Sequence, residues 1–280
     1  MTPQEVIQNL GELPPLPQVA TRVIRISAAS DTSSEELKNL IRTDQALSTQ
    51  VLKIANSAMF GRVREVTTLT QAIMTLGFST TRSVVLACSV KHLFNRGPAG
   101  IQERILWEHA LVSALTGGAI SKALRVASAE EVFLAGLIHD IGKSVLALKF
   151  PEAYGALLRS LQNQGGDGLS VELDTFGFDH AMVGEALLRS WNITEGIEEV
   201  VRWHHDPQEA SADHRPVVAL VALGNQVALD LQVGIGSPDS LGGATREAME
   251  ILHLDEGAYE GHRITALEAL ERDKALIADF

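Results

Sequence analysis

Six side chains of metal-binding type punctuate this chain: His109, the doublet His139-Asp140, His180, and the pair His204-His205. Imidazole and carboxylate are the donors that borderline and hard divalent cations prefer. Asp140 is trailed by Ile141-Gly142-Lys143, so an imidazole, a carboxylate and an ammonium fall within about one helical turn. That combination can bind a cation and contact a phosphate, the chemistry of a hydrolytic site. His109, in Leu106-Trp107-Glu108-His109-Ala110, is by itself more often a packed or surface histidine than a ligand. His139-Asp140 follows the small apolar run Leu134-Ala135-Gly136-Leu137-Ile138, which buries the doublet at a helix end. A buried, unpartnered aspartate costs several kcal/mol, and either a metal or Lys143 removes that cost. His180 opens a helix whose buried side is marked by Val183, Leu187, Leu188 and Trp191, and His204-His205 closes another. Adjacent helical residues point about 100° apart, so one of that pair can meet a metal while its neighbour meets a second metal or a substrate. Asp206 is expected to cap the stop made by Pro207. His92, His214, His253 and His262 sit in contexts that call for no function.

Helices must position these groups, because apolar residues recur at three- and four-residue spacing and sustained period-2 alternation is absent. Leu13-Pro14-Pro15-Leu16-Pro17 is a rigid extended lead-in, followed by a helix with Val19, Val23, Ile24 and Ile26 facing inward. Asp31 to Glu36 caps a helix carrying Leu37, Leu40 and Ile41, and Thr43-Asp44 caps the next, over 46–55. Further helices are expected over 70–76 and 80–94. Asn95-Arg96-Gly97-Pro98-Ala99-Gly100 is the clearest break. It divides an N-terminal lobe, 1–97, from a ligand-bearing lobe, 98–232, with a helical extension over 233–280. Within the second lobe the expected helices cover 101–125, 129–140, 142–148, 151–164, 170–173, 179–191, 194–204 and 214–232. The extension should hold a glycine-rich loop and helices near 244–253 and 263–278. Those glycines lack the Lys-Ser or Lys-Thr of a phosphate-binding loop.

Composition narrows the classes. Apolar residues make up 45%, enough for a core, while aromatics at 5% imply aliphatic helix packing. A net charge of -12 argues against a general nucleic-acid binder and weakly favours a basic protein partner. The single cysteine, Cys88, excludes an intrachain disulfide and reads as a core thiol in Val84-Val85-Leu86-Ala87-Cys88. No signal peptide or membrane span is evident, so the expected location is the cytoplasm, without membrane contact. The start at Met1 with a short polar lead suggests a complete gene product.

His139-Asp140-Ile141-Gly142-Lys143 resembles the HD superfamily of metal-dependent phosphohydrolases. The wider pattern resembles the HDOD domain: Leu13 to Pro17, Asp44-Gln45-Ala46-Leu47, Asn56-Ser57, Ala72 to Gly77, Trp107-Glu108-His109, His180 to Gly184, and Trp191. The likeness covers roughly residues 5–230. It implies an all-α fold, an HDOD-type helical bundle whose N-terminal lobe packs on an HD-like lobe, and a bacterial signalling or regulatory role. By further resemblance to the HD-GYP enzymes, which hydrolyse cyclic di-GMP, His109, His139, Asp140, His180, His204 and His205 fall on metal-ligand positions. The site then holds one or two divalent ions (iron, manganese or zinc), with Asp140 bridging the two, and Lys143 contacts phosphate. In such a site Asp140 and Lys143 carry the catalytic roles, with metal-activated water attacking phosphorus in line.

Two departures bear on that chemistry. Asn225, in Ala222-Leu223-Gly224-Asn225-Gln226, stands where the last carboxylate is expected, and Asp206-Pro207-Gln208-Glu209 replaces the Gly-Tyr-Pro segment. Asn225 can coordinate through its carbonyl but adds no charge. Cyclic di-GMP hydrolysis is therefore disfavoured. Three readings stand open: a non-catalytic regulatory module acting on a signalling partner or a small ligand; a phosphohydrolase acting on a nucleotide or phosphodiester; and structural histidines left from an ancestral site with no metal.

Overall fold

The apolar spacing is realised as helix throughout the computed structural model, which describes residues 3–11, 18–26, 32–57, 65–94, 100–164, 166–193, 195–234 and 242–272. The first part comprises α1 (Pro3–Leu10), α2 (Gln18–Arg25), α3 (Thr32–Arg42), α4 (Gln45–Ala55), α5 (Leu69–Leu76) and α6 (Phe78–Phe94). The candidate ligands lie along α7 (Gly100–Leu124), α8 (Ala129–Ile138), α9 (Ile141–Lys149), α10 (Pro151–Gln164), α11 (Gly168–Phe176), α12 (His180–Ser190), α13 (Glu195–Trp203) and α14 (Arg215–Asp230). Two more helices follow, α15 (Gly243–Ile251) and α16 (Glu256–Arg272). Among the described residues there is no strand, and no helix is long and apolar enough to cross a membrane.

Two motif residues of the first part act on the backbone rather than in chemistry. Asp44 caps α4 by accepting from Leu47 N at 3.0 Å. The Asn56 amide clamps the strand-like approach to α5, donating to Val66 O at 2.8 Å and accepting from Val66 N at 2.9 Å. Val23, Leu37, Leu40, Ile41 and Cys88 are buried as their spacing implied, and Val19 is half-buried. A continuous apolar cluster runs from Val6 in α1 to Val201 in α13. Elements on both sides of residue 97 therefore share one core, with α1 on α12 and α6 on α8 and α9. The proline lead-in, the proposed lobe boundary at 97 and most of the glycine-rich loop lie outside the described residues.

Most helix bounds fall within about two residues of expectation, with larger departures at α11 and α16. The helix expected over 170–173 is α11, Gly168–Phe176, begun by Asp167, which accepts from Leu169 N at 3.3 Å and Ser170 N at 3.2 Å. The last helix starts at Glu256 instead of 263 because Asp255 caps it, accepting from Ala258 N at 2.7 Å; Gly257 and Gly261 weaken its helical signature. Asp206 precedes the 3-10 turn Pro207–Glu209 but makes no side-chain cap bond, so the capping role assigned to it is incorrect.

Close helix crossings bring the ligand-bearing ends together. Gly142, at the start of α9, presses on the first turn of α12. A Cβ there would overlap the His180 carbonyl oxygen and stand 2.8 Å from Gly184 N. On α14, Gly224 meets α7 so closely that a Cβ would lie 3.0 Å from Gly117 Cα and overlap Ser113 O. The Thr116 hydroxyl seals that contact by donating to Gly224 O at 3.2 Å. These contacts are backbone to backbone and cannot be relieved by a rotamer change. Gly142→Ala should accordingly cost about 3 kcal/mol of folding stability, read as a lower urea midpoint. An unchanged midpoint would show that α9 and α12 separate freely.

Candidate metal centre

The six predicted ligands converge, five of them delivered by a helix end or turn and His109 from within a helix. His139 is the C-cap residue of α8 and Asp140 the N-cap residue of α9. The Asp140 side chain makes no capping bond, which leaves both carboxylate oxygens for the centre. His180 is the first residue of α12, held there because Asp179 accepts from Met182 N at 2.7 Å. His204 and His205 follow α13, and His109 projects from the middle of α7. His109, His139, Asp140, His180 and His204 are buried and His205 is half-buried.

Asp140 is the hub, and its two oxygens divide the histidines. Oδ2 lies 3.4 Å from His109 Nε2 and 3.4 Å from His139 Nε2. Oδ1 lies 3.2 Å from His180 Nε2 and 3.6 Å from His204 Nε2. His205 joins the second set, its Nε2 3.2 Å from His180 Nε2. Lys143 Nζ donates to Asp140 Oδ2 at 2.7 Å. Asn225, also buried, lies against His109 and favours its protonated form, although no well-formed hydrogen bond reaches His109 Nε2.

The opposite ring nitrogens are held from behind. His109 Nδ1 bonds Val233 O at 2.8 Å, His139 Nδ1 bonds Gly136 O at 2.7 Å, and His204 Nδ1 bonds Val201 O at 3.0 Å. A carbonyl only accepts, so each Nδ1 carries the hydrogen and each Nε2 presents a lone pair to the centre. His180 is held by an acid that the sequence did not single out. Glu172, 2% exposed on α11, takes His180 Nδ1–H and N–H at 2.7 Å each, and Tyr154 OH donates to its other oxygen at 2.9 Å. The available signal was Asp167, which caps α11 and sets Glu172 one turn into the helix. Nothing in the pattern distinguishes inward Glu172 from Asp174 on the same helix.

Burial and charge set the protonation. Desolvation lowers His109, His139, His204 and His205, so these rings are neutral donors. Burial alone would raise Asp140, but His139 and Lys143 beside it, with the His180 and His204 rings facing its Oδ1, hold it well below the usual carboxylate range. Burial also opposes charge on His180, yet Glu172 and Asp140 overcome it and push that ring up to about 9. An ion that takes His180 Nε2 must therefore displace a proton. Because the folded pKa lies above neutral, protons compete below about pH 9, so affinity rises with pH. Manganese(II) titration between about pH 6 and 8 should show affinity increasing about tenfold per pH unit. A flat profile would remove His180 from the ligand set.

The residues fit a divalent ion. His109 Nε2, His139 Nε2 and Asp140 Oδ1 are buried without hydrogen-bond partners, a costly state unless something else satisfies them. Among the described residues the donors form two overlapping sets, each with its ligand atoms within 4.8 Å: His109, His139 and Asp140; and Asp140, His180, His204 and His205. Nitrogen and carboxylate donors of this kind suit iron, manganese or zinc. Beside the sets opens a cavity of about 550 Å³. Lys143, His180, His205 and Asn225 line it where it meets the centre, and Leu158, Leu161, Leu169 and Leu229 add apolar lining.

Comparison with known proteins gives a family and a fold. The family model described as the HDOD domain matches residues 13–207. An uncharacterized protein of Treponema pallidum (strain Nichols) is 25% identical over 224 residues, covering 79% of this chain and 43% of that protein. The chain thus spans less than half the length of that curated relative. An HDOD domain protein from Geobacter sulfurreducens superposes with a TM-score of 0.78 at 22% identity, covering 98% of this chain and 95% of the other. A candidate signal transduction protein from Marinobacter aquaeolei VT8 gives 0.73 at 22% identity, with 98% and 60% covered. A candidate metal-dependent phosphohydrolase from Shewanella amazonensis SB2B gives 0.64 at 18% identity, with 94% and 97% covered. At these identities the structural matches show a shared fold.

Proposed function

Because the chain belongs to the HDOD domain family, we propose that it is a regulatory module whose metal centre captures a phosphate-bearing ligand and holds it without efficient turnover, signalling its presence to a protein partner. The observation that carries this reading is the division of Asp140 between two histidine sets while Asn225, buried against His109, adds no charge. One ion would be held by His109, His139, Asp140 and the Asn225 carbonyl, and the other by Asp140, His180, His204 and His205. When bound, the ions supply Lewis-acid attraction for phosphate oxygens. Among the described residues Asp140 is the one carboxylate in contact with both donor sets, and Glu172 bonds His180 alone of the donors. Two divalent ions would leave a positive excess that a bound anion neutralises. The same excess retains an anionic product, which favours occupancy over turnover. Lys143 is 17% exposed and faces the cavity, so its ammonium can leave Asp140 for a phosphate oxygen. The apolar side chains of the cavity lining can shelter the body of a nucleotide-sized ligand.

A second reading, a phosphohydrolase acting on a nucleotide or phosphodiester, is favoured by the convergence of all six donors with Lys143. One experiment separates the two. Protein purified without chelator is assayed for iron, manganese and zinc, then for hydrolysis of a generic aryl phosphodiester and for thermal stabilisation by phosphate compounds. The regulatory reading expects stoichiometric metal, stabilisation by a phosphate ligand, and no hydrolysis above background. Hydrolysis that vanishes in His139→Ala and Asp140→Ala would replace it with the enzyme reading. Protein that binds no metal under any condition would defeat both.

A further inference from the structure

The stretch after α14 lies beyond residue 207, where the family match ends, yet it reaches the centre. Val233 is 124 residues from His109, and its carbonyl accepts the His109 Nδ1–H at 2.8 Å. Gly234 follows with φ +117°, a conformation that residues bearing a Cβ rarely adopt. A Cβ on Gly234 would stand 2.5 Å from His109 Nδ1 and 2.9 Å from Cγ. The ring has nowhere to retreat, since its far edge faces Asp140 and stands 5.3 Å, centroid to centroid, from His139. The other imidazoles that take a backbone carbonyl take it from three residues earlier in their own chain: His139 from Gly136, and His204 from Val201. Only His109 depends on a distant segment among these three.

We propose that Val233 and Gly234 are the positioning element of the His109 donor: the Val233 carbonyl fixes the imidazole as its Nδ1–H tautomer, and the bare Cα of Gly234 leaves the room the ring needs to aim Nε2 at Asp140. The inference rests on the reading that His109 holds an ion. Neither residue touches metal or ligand; both act through the ring. The consequence is local to one donor set. His109 loses its geometry when this segment shifts, and with it one donor of the first set, whereas His139 and His204 are held by their own helices and His180 by Glu172 of α11. Gly242 to Thr245 also line the cavity, with Thr245 Oγ1 donating to Gln226 Oε1 at 3.2 Å.

The test is titration of the full chain with manganese(II) alone, followed by electron paramagnetic resonance, which separates a spin-coupled pair from an isolated ion. Wild type should bind two ions and give the coupled signal. Gly234→Ala should keep one ion at wild-type affinity, bind the second about 10–100-fold more weakly, and lose the coupling. Leu231→Ala, an exposed change nearby in the same segment, should match wild type. In a His109→Ala background the ring is gone, so adding Gly234→Ala should weaken binding no further. Wild-type binding and coupling in Gly234→Ala would overturn the proposal, as would a further loss in the double variant. If Gly234→Ala does not fold, recovery of folding in the double variant supports the clash with the ring; a double variant that also fails places the need for glycine in the backbone alone and overturns it. Wild type that binds no manganese defeats the metal reading itself, a result distinct from any of these.

Discussion

Protein carrying Asp140→Asn is expected to emerge metal-free from a preparation in which the wild type retains its ions. Asp140 is the one group common to both donor sets, so its charge is lost to both ions in a single step. The loss should exceed the roughly 10–100-fold that follows removal of a supporting group one shell out. A second effect appears without metal. Lys143 donates to Asp140 at 2.7 Å and the protonated His180 lies 3.2 Å from it. Asparagine preserves the shape but leaves these charges facing a neutral amide. Breaking one side of a buried ion pair costs about 3–5 kcal/mol. Lys143 can swing into the cavity, so the lower end of that range applies, measured as the fall in urea stability of chelated protein. Removing the stranded ammonium as well, in Asp140→Asn with Lys143→Met, should recover part of the stability without restoring metal. Full metal occupancy in Asp140→Asn would show that the histidines hold ions independently and that Asp140 bridges nothing.

Much of this centre was legible because its ligands sit where local sequence sets direction. The doublet His139-Asp140 ends one helix and begins the next, and the apolar run ahead of it could only be buried. Asp179 announces a helix start, which fixes His180 at its first position. Val183, Leu187 and Leu188, all fully buried, follow from three- and four-residue spacing alone. What stayed hidden depends on tertiary contact. Glu172 looks like one acid of two on a short helix, and only the packing of α11 turns it toward His180. Val233 and Gly234 read as the entry to a glycine-rich loop, since nothing local reports an imidazole from 124 positions earlier. Asp206 misled for the opposite reason. An aspartate before proline has the composition of a cap, but here its side chain makes no cap bond.

Asn225→Asp supplies the sharpest reversal, because it should make the same protein less stable without metal and more stable with it. Position 225 lies against His109 where the cavity meets the centre, brought there by the close approach of Gly224 to α7. In the metal-free state a second carboxylate would be buried beside Asp140. Burial and the neighbouring negative charge both disfavour its ionisation, so it would take up a proton or destabilise the fold. With an ion on His109 and His139 the same carboxylate gains a cation and offsets one of the excess positive charges. Affinity at that donor set should rise about 10–100-fold by the converse of a lost supporting group, equivalent to about 1.4–2.7 kcal/mol of added holo stability at fixed metal. The reading is a pair of melting curves for each protein, one with chelator and one with manganese(II). The gap between them should widen in the variant, from below as well as from above. If hydrolysis of an aryl phosphodiester appears with the wider gap, the missing charge is what separates holding a phosphate from cleaving it. A gap identical to wild type would remove Asn225 from the first donor set, and with it the charge argument for a centre that retains its ligand.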